Sequence, residues 1–77
     1  MSNQTKPIWH LRVVSSNISH AAYNVEKSKL KIDFHGDRSY VYYGVSVSEF
    51  MDFTLAESQG SFLSRNIKPV KDYKKIS

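Results

Sequence analysis

Residues 30–44 read LKIDFHGDRSYVYYG, and this stretch decides the fold. In its first part Leu30, Ile32 and Phe34 alternate with polar residues, which is typical of a β-strand that buries one face. A polar turn follows, in which Gly36 is free to adopt a positive φ. Residues 39–44 are then rich in tyrosine and valine, which favour strands. The stretch therefore predicts an antiparallel hairpin.

Two further extended segments precede this hairpin. Residues 18–25 read as a strand that follows a polar turn at 15–17, and a polar connection at 26–29 joins them to the hairpin. Residues 9–14 also alternate and predict a short strand or an extended arm that carries Trp9. Because the connections are short, the economical topology is an antiparallel meander of three to four strands.

After residue 45 the pattern changes from strand to helix. Ser46 and Glu49 have the spacing of a capping box, in which each side chain bonds the backbone N–H of the other residue. The apolar residues that follow predict a helix over 47–57. Gly60 has the character of a left-handed cap that ends this helix.

A second short helix is expected over 61–68, because Pro69 cannot continue it. The residues around Tyr73 and Ile76 predict a last extended segment. The predicted fold class is therefore α+β: a small antiparallel β-meander followed by two short helices packed on one face.

The 77 residues suffice for one small domain, predicted at 9–77 after a disordered N-terminal arm at 1–8. The chain has no cysteine, so neither a disulfide nor a thiolate metal site can stabilise it. Self-association is another way for so small a domain to gain buried area. A homo-oligomer is therefore one expectation.

The chain is basic, with a net charge of +4 and a pI near 9.5, which favours anionic partners. Many of its cations lie in the last 13 residues, which could instead be a solvated, frayed end. No apolar run is long enough to span a bilayer, and the first 20 residues lack a signal-peptide core. We therefore expect a cytoplasmic protein without a membrane partner.

The tyrosines of 39–44 are candidates for ligand contact. Tyr40 and Tyr42 point to one side of the predicted strand, and Val41 points to the other. If Val41 faces the core, the two tyrosines form an exposed ladder on which a base could stack. The alternative is that they are core or interface aromatics whose hydroxyls reach the rim.

The turn at 58–61 is the best phosphate candidate. The start of a helix leaves backbone N–H groups unpaired after Ser58. Ser61 adds a hydroxyl, and Gly60 permits a close approach of the ligand. Arg65 lies four residues after Ser61, on the same helical face, and Lys68 lies three residues further on. The turn is not a Walker loop. The alternative is an ordinary helix–helix turn with solvated cations.

Three other polar residues are weaker candidates. Ser16 and Asn17 could donate to a ligand, although a strand-entry turn explains them equally simply. Arg38 is the cation next to the tyrosine strand, where it either stacks on a base or is simply an exposed residue at the end of a hairpin. We include all three in the candidate ligand-binding site.

Catalysis has little support in the sequence. The three histidines are scattered without metal-ligand spacing, and no nucleophile motif is present. Asp33 and His35 share a strand face, but such pairs are routine at strand edges. We therefore expect a non-enzymatic protein with no cofactor, no metal and no catalytic residue.

The order of short motifs resembles the KTSC domain, which is named for the C-terminus of some lysyl-tRNA synthetases. The resemblance runs from about Val14 to Tyr73, and its motifs are Ser15-Ser16-Asn17-Ile18, Ala22-Tyr23-Asn24, Leu30-Lys31-Ile32-Asp33-Phe34, Tyr40-Val41-Tyr42, Ala56-Glu57-Ser58-Gln59-Gly60-Ser61-Phe62 and Ile67-Lys68. Two departures are Ser46, where the family often has proline, and Leu63-Ser64, where it often has an aromatic residue followed by asparagine.

The resemblance implies nucleotide or nucleic-acid binding rather than catalysis. Stand-alone phage members look similar to small viral sponges of the anti-CBASS type, which sequester cyclic nucleotide signals of bacterial defence in the host cytoplasm. On this basis the expected ligand is a phosphorylated nucleotide, and a cyclic dinucleotide is the specific hypothesis. The synthetase context implies an RNA-binding accessory domain instead, and a protein-interaction module is the third alternative.

Overall fold

The computed structural model describes residues 8–13 and 15–77. Apart from Ile8, the arm expected at 1–8 lies outside these residues. Five strands form one antiparallel sheet in sequence order: β1 (Ile8–Arg12), β2 (Ile18–Asn24), β3 (Lys29–Phe34), β4 (Arg38–Tyr43) and β5 (Tyr73–Lys75). The helices are α1 (Val47–Leu55) and α2 (Gln59–Phe62), and α2 continues into a π-helical segment, Leu63–Ile67.

The α+β class, the antiparallel meander and the two short helices are confirmed, but the expected count of three to four strands is wrong. Residues 9–12 belong to a full strand, in which Trp9 lies opposite Tyr23. The chain also returns after the helices and adds β5 beside β4. With only three residues, β5 is too short to produce a recognisable alternation in the sequence.

One face of the sheet carries the core. Leu30 pairs with Tyr42, and Ile32 pairs with Tyr40, so these four side chains point to the same side. The helices pack on that side and bury twelve residues with it: Val13, Ile18, Ala21, Tyr23, Leu30, Ile32, Tyr42, Val45, Phe50, Phe53, Leu63 and Ile67. The opposite face, which we call the open face, is not covered by any described element.

Helix α1 begins where the capping box predicts. Ser46 Oγ accepts the Glu49 N–H at 3.1 Å, and Glu49 Oε1 accepts the Ser46 N–H at 2.9 Å. The helix ends at Leu55, two residues before the expected end. Its Phe50 ring stacks on Tyr23 with a centroid distance of 4.6 Å, which fixes α1 on the sheet.

Helix α2 starts earlier than expected, because Ser58 is its N-cap and Gly60 lies inside it. The expected left-handed cap at Gly60 is therefore wrong, and positive φ angles among the glycines occur at Gly36 and Gly44. The helix then widens: the Lys68 N–H donates to the Leu63 carbonyl, five residues back, at 2.9 Å. This wider turn changes the direction in which the cations after residue 63 point.

Candidate ligand-binding site

A cavity of about 510 Å³ lies between the sheet and the π-helical segment. Its size is within the range of pockets that hold small molecules. We call it the aromatic pocket. It is lined by Asn17, Ile18, Phe34, Arg38, Tyr40, Tyr42, Gly60, Leu63, Ser64, Lys68 and Tyr73.

Three tyrosines form the wall of the aromatic pocket. The ring centroids lie 6.4 Å apart for Tyr40 and Tyr42, 5.8 Å for Tyr40 and Tyr73, and 6.0 Å for Tyr42 and Tyr73. Phe34 meets Tyr40 edge-on at 5.7 Å. Phe34 lies on β3, Tyr40 and Tyr42 lie on β4, and Tyr73 lies on β5, so the wall is part of the sheet itself. Such a wall can contact the face of a flat ring.

Of the two arrangements that the sequence leaves open for Tyr40 and Tyr42, the exposed ladder is not formed. Tyr42 is only 1% exposed and Tyr40 is half-buried, because both face the helices. Val41 points to the open face, in register with Lys31 and Lys74, so the condition for an exposed ladder is not met. The alternative, aromatics packed at the core with a polar rim, describes the two tyrosines correctly.

The Tyr42 hydroxyl is a buried polar group in this wall. Burial, with smaller contributions from Tyr40 and Tyr73, raises the pKa of Tyr42 to about 12. The phenol is therefore neutral at any working pH. By contrast, the buried Tyr23 hydroxyl donates to the Val45 carbonyl at 2.6 Å. Tyr42 makes no such bond with the described residues, which leaves it available to a ligand that reaches it.

Two cations lie at one end of the aromatic pocket. The Arg38 guanidinium carbon and the Lys68 ammonium nitrogen are each 5.9 Å from the Phe34 ring centroid. They come from the start of β4 and from the end of the π-helical segment. The fold thus places two positive charges next to an aromatic surface, a combination suited to an anion attached to a base.

A second cavity of about 220 Å³ adjoins the first, and we call it the serine pocket. It is lined by Ser15, Ser16, Asn17, Ser58, Gly60, Ser61, Ser64 and Arg65. Asn17, Gly60 and Ser64 line both pockets, so the two lie next to each other. Five hydroxyls and one guanidinium make the serine pocket suitable for an oxyanion.

The serine pocket forms where two turns approach each other closely. The Asn17 N–H donates to Ser15 Oγ at 3.2 Å, which holds the turn before β2. A Cβ at Gly60 would lie only 3.3 Å from that same oxygen, so glycine permits the approach. On the other side, the Ser61 N–H donates to Ser58 Oγ at 3.3 Å. One N–H group of this turn is thus already bonded to a side chain, while hydroxyls and Arg65 offer further donors.

All ten residues selected from the sequence line one or both pockets. The aromatic pocket contains Asn17, Arg38, Tyr40, Tyr42, Gly60 and Lys68, and the serine pocket contains Ser16, Asn17, Ser58, Gly60, Ser61 and Arg65. One expectation needs adjustment: Arg65 and Lys68 do not lie in the same pocket. The π-helical turn between them separates the two cations.

Six further lining residues lie outside the set selected from the sequence: Ser15, Ile18, Phe34, Leu63, Ser64 and Tyr73. Phe34 could have been found, because it has the same parity as the buried residues of the clearest strand. Ser64 lies three residues after Ser61, a helical neighbour. Tyr73 gave no comparable signal, since its place depends on a pairing between distant parts of the chain.

Neither pocket lining contains His, Asp or Glu. Among residues 8–13 and 15–77, no group of three or more such side chains or cysteines could hold a metal ion. Asp33 and His35 do not act together: Asp33 accepts the Ser39 hydroxyl at 2.7 Å, and His35 contacts the Ser15 carbonyl at 3.2 Å. In the described part of the chain, no helix has the length and apolarity needed to cross a membrane.

Comparison with known proteins identifies the domain that carries these pockets. The family model of the KTSC domain matches residues 14–73, which include every residue that lines the two pockets. A protein of Tsukamurella paurometabola is 39% identical over 57 residues, which cover 74% of this chain and 85% of that protein. The crystal structure of a KTSC domain protein from Yersinia pestis matches with a TM-score of 0.84 and 30% identity, over 91% of this chain and 99% of that one.

Proposed function

The chain belongs to the KTSC domain family, and we propose that it is a non-enzymatic binding module for a phosphorylated nucleotide. The observation that carries this proposal is that the two pockets adjoin and share Asn17, Gly60 and Ser64 in their linings. The aromatic pocket suits the base of a nucleotide, and the adjoining serine pocket, with its hydroxyls and a cation, suits the phosphate.

In this proposal the base lies in the aromatic pocket against Tyr40 and Tyr73. Stacking of a base on an aromatic side chain is worth about 1–3 kcal/mol. Tyr73 is 61% exposed, so its ring is accessible from solvent. The Tyr42 hydroxyl and the Asn17 side chain can then bond to polar atoms at the edge of the base.

The phosphate lies in the serine pocket, where Arg65 supplies the charge and Ser16, Ser58 and Ser61 supply hydroxyls. Arginine suits this role because its planar guanidinium donates to two phosphate oxygens at once. The absence of an acid or histidine from the described linings supports binding without chemical conversion.

The charge distribution favours a ligand with two phosphates. Arg38 and Lys68 mark one anion position in the aromatic pocket, and Arg65 marks another in the serine pocket. A cyclic dinucleotide has this composition, and a protein that holds it unchanged would act as a sponge. The proposal places such a sponge in the cytoplasm, as a homo-oligomer of the viral anti-CBASS type.

Thermal-shift measurements with cyclic di- and trinucleotides test this function, because a ligand that binds only the native state raises the Tm. We expect a shift that is lost in Arg65→Ala and kept in Lys75→Ala, a matched loss of one cation outside both pockets. Chromatography should recover the bound nucleotide unchanged. If no nucleotide raises the Tm, or if the ligand is hydrolysed, the proposal is wrong.

The open face favours RNA as a second candidate. It carries Arg12, Lys29, Lys31 and Lys74 against Asp33, and the Lys29 ammonium lies 5.5 Å from the Tyr43 ring centroid. Short RNAs run in parallel distinguish the two: RNA bound on this face should lose affinity steeply with salt, whereas a nucleotide in the pockets should not. If neither the cyclic nucleotides nor the short RNAs bind, a protein-interaction module is favoured.

A further inference from the structure

Lys71 differs from the other lysines near the C-terminus, because its ammonium group is bonded to two oxygens of the chain. Its side chain is 16% exposed, whereas the other lysines of residues 68–75 are exposed residues. The ammonium group lies 2.9 Å from Glu49 Oε1 and donates to the Gly44 carbonyl, also at 2.9 Å. Hydrogen bonds that involve a charged group are stronger than those between neutral groups. We call the Lys71 ammonium group and its two acceptors the lysine latch.

The lysine latch lies where the pairing of β4 and β5 ends. At this end of the ladder the Tyr43 N–H donates to the Asp72 carbonyl at 2.9 Å. The next residue of the chain, Gly44, has a φ of +72°, so the backbone leaves the strand conformation there. The Lys71 side chain reaches the Gly44 carbonyl at this point. It therefore extends the link between the two segments beyond the backbone bonds.

Strand β5 depends on such a link for the position of its first residue, Tyr73. All three residues of β5 are exposed, so this edge strand gains little from burial. Residues 68–72, which connect it to the π-helical segment, form an irregular turn. We propose that Lys71 is a positioning residue for the aromatic pocket: through the lysine latch it holds the start of β5, and with it the Tyr73 ring, in the wall of the pocket.

Lys71 acts on the pocket from outside it. It lines neither the aromatic pocket nor the serine pocket, and its ammonium group is bonded to the Gly44 carbonyl and to α1. Tyr73 does line the aromatic pocket, with its ring centroid 5.8 Å from that of Tyr40 and 6.0 Å from that of Tyr42. The effect of Lys71 on ligand affinity rests on the proposed function, whereas its effect on the position of Tyr73 does not.

Glu49 joins the lysine latch to the start of α1. Its Oε1 also accepts the Ser46 N–H at 2.9 Å, so one carboxylate oxygen serves both the capping box and the latch. The Glu49 side chain is 37% exposed, and ion pairs with such exposure contribute little to the stability of the whole domain. We therefore expect that loss of the latch displaces β5 and lowers the Tm by only a few degrees.

Amide hydrogen exchange tests the lysine latch without any ligand. In Lys71→Met, which removes the charge and keeps most of the side chain, the Tyr43 N–H should exchange about tenfold faster. The His35 N–H, which is bonded elsewhere in the sheet, should exchange as in the wild type. Lys71→Arg should restore most of the protection, and Lys75→Met, which removes a cation of β5 outside both pockets, should leave it unchanged. Wild-type exchange of the Tyr43 N–H in Lys71→Met would overturn the proposal.

A double variant tests whether Lys71 acts through Tyr73. With the cyclic nucleotide that gives the largest Tm shift, Lys71→Met should weaken binding by about threefold to tenfold, and Lys75→Met should not. In a Tyr73→Ala background Lys71→Met should cause no further loss, because the ring that it positions is gone. Losses that add would mean that the Lys71 charge attracts the phosphate directly, and the proposal would be wrong. If no nucleotide binds the wild type, the proposed function fails, while the exchange of the Tyr43 N–H still decides whether Lys71 positions β5.

Discussion

Tyr73 lies directly opposite Tyr42 in the register of β4 and β5, with ring centroids 6.0 Å apart. The pairing joins a residue near the C-terminus to the centre of the tyrosine strand. Two backbone bonds flank it: the Tyr43 N–H donates to Asp72 at 2.9 Å, and the Ile76 N–H donates to Ser39 at 2.9 Å. A three-residue edge strand thus completes the wall of the aromatic pocket.

Tyr73→Ala should weaken ligand binding without unfolding the domain. The ring is 61% exposed, so little core packing is lost, but one of the stacking surfaces disappears. We expect a loss of about 1–3 kcal/mol in binding free energy, measured by calorimetry with the nucleotide that gives the largest Tm shift. Val70→Ala, at a similarly exposed residue outside both pockets, is the control. Equal affinities of the two variants would exclude a stacking role for Tyr73.

Tyr42 should behave in the opposite way, as a residue of the core. Its side chain is 1% exposed and packs with Leu30, its register partner. Tyr42→Ala should lower the free energy of unfolding by about 3–5 kcal/mol, as for other large buried aromatics. Tyr42→Phe keeps the ring and should fold normally. Urea denaturation of both variants checks this. A fully stable Tyr42→Ala would mean that the ring does not carry the packing.

The alkaline stability of the protein should depend on Tyr42. The folded-state pKa of about 12 lies above the ordinary value of 10, so the folded state holds this proton more tightly than the unfolded state. The resulting stability is present below pH 10 and is lost as the pH rises from 10 to 12. Unfolding curves over this range should fall less steeply for Tyr42→Phe than for the wild type.

Burial also raises the pKa of Tyr23, so part of the alkaline loss will remain in Tyr42→Phe. The comparison between the two proteins isolates the Tyr42 contribution. Identical slopes above pH 10 would show that the Tyr42 phenol is solvated.

Glu49 should contribute stability with the opposite pH dependence. The Ser46 N–H bonds its carboxylate and Lys71 lies beside it, and together they hold the pKa of Glu49 below its ordinary value. The stabilisation is therefore present above the pKa of an unfolded glutamate and is lost as the pH falls through the folded-state pKa. Glu49→Gln should cost about 1 kcal/mol at pH 7 and nothing in strong acid.

Melting curves of Glu49→Gln and the wild type at several pH values between 2 and 7 measure this difference. Asp52→Asn removes an acid from the same helix outside the capping box and is the control. A constant difference across the whole range would mean that the Glu49 charge is not involved.

The sequence predicted the features that depend on neighbouring residues. Alternation at Leu30, Ile32 and Phe34 and the capping box at Ser46 are local, and the structure confirms both. The position of Tyr73 depends on a pairing across about thirty residues, which no local pattern encodes. Arg65 and Lys68 were assigned to one candidate site on the spacing of a regular helix, whereas the chain forms a π-helical turn between them.

The faces of β4 show how one assumption changes a site. The parity of Tyr40 and Tyr42 was correct, but the alternation alone left open whether these tyrosines or Val41 face the core. A tyrosine ring buries more surface than a valine, and its hydroxyl can reach a cavity, so the sheet turns its tyrosines inward. The residues of the site were therefore recognisable from the sequence, while their burial was not.

Gly60→Ala separates the requirements of the site from those of the fold. Gly60 has an ordinary helical φ, so alanine should improve the helix by up to about 1 kcal/mol. Against this, the new methyl group would lie 3.3 Å from Ser15 Oγ, and that side chain must shift slightly. Gly60 also lines both the aromatic and the serine pocket, so the added methyl group takes space at their boundary. We therefore expect a Tm within a few degrees of the wild type and a clear loss of nucleotide affinity.

For Gly60→Ala, thermal melting gives the Tm, and calorimetry on the same sample gives the affinity for the nucleotide. Gly36→Ala is the matched control with the opposite signature: its φ of +90° strains alanine, and it lies outside both pockets. That variant should lose stability and keep its affinity. If Gly60→Ala binds the nucleotide as tightly as the wild type, then no single ligand occupies both pockets across Gly60, and base and phosphate must be bound elsewhere.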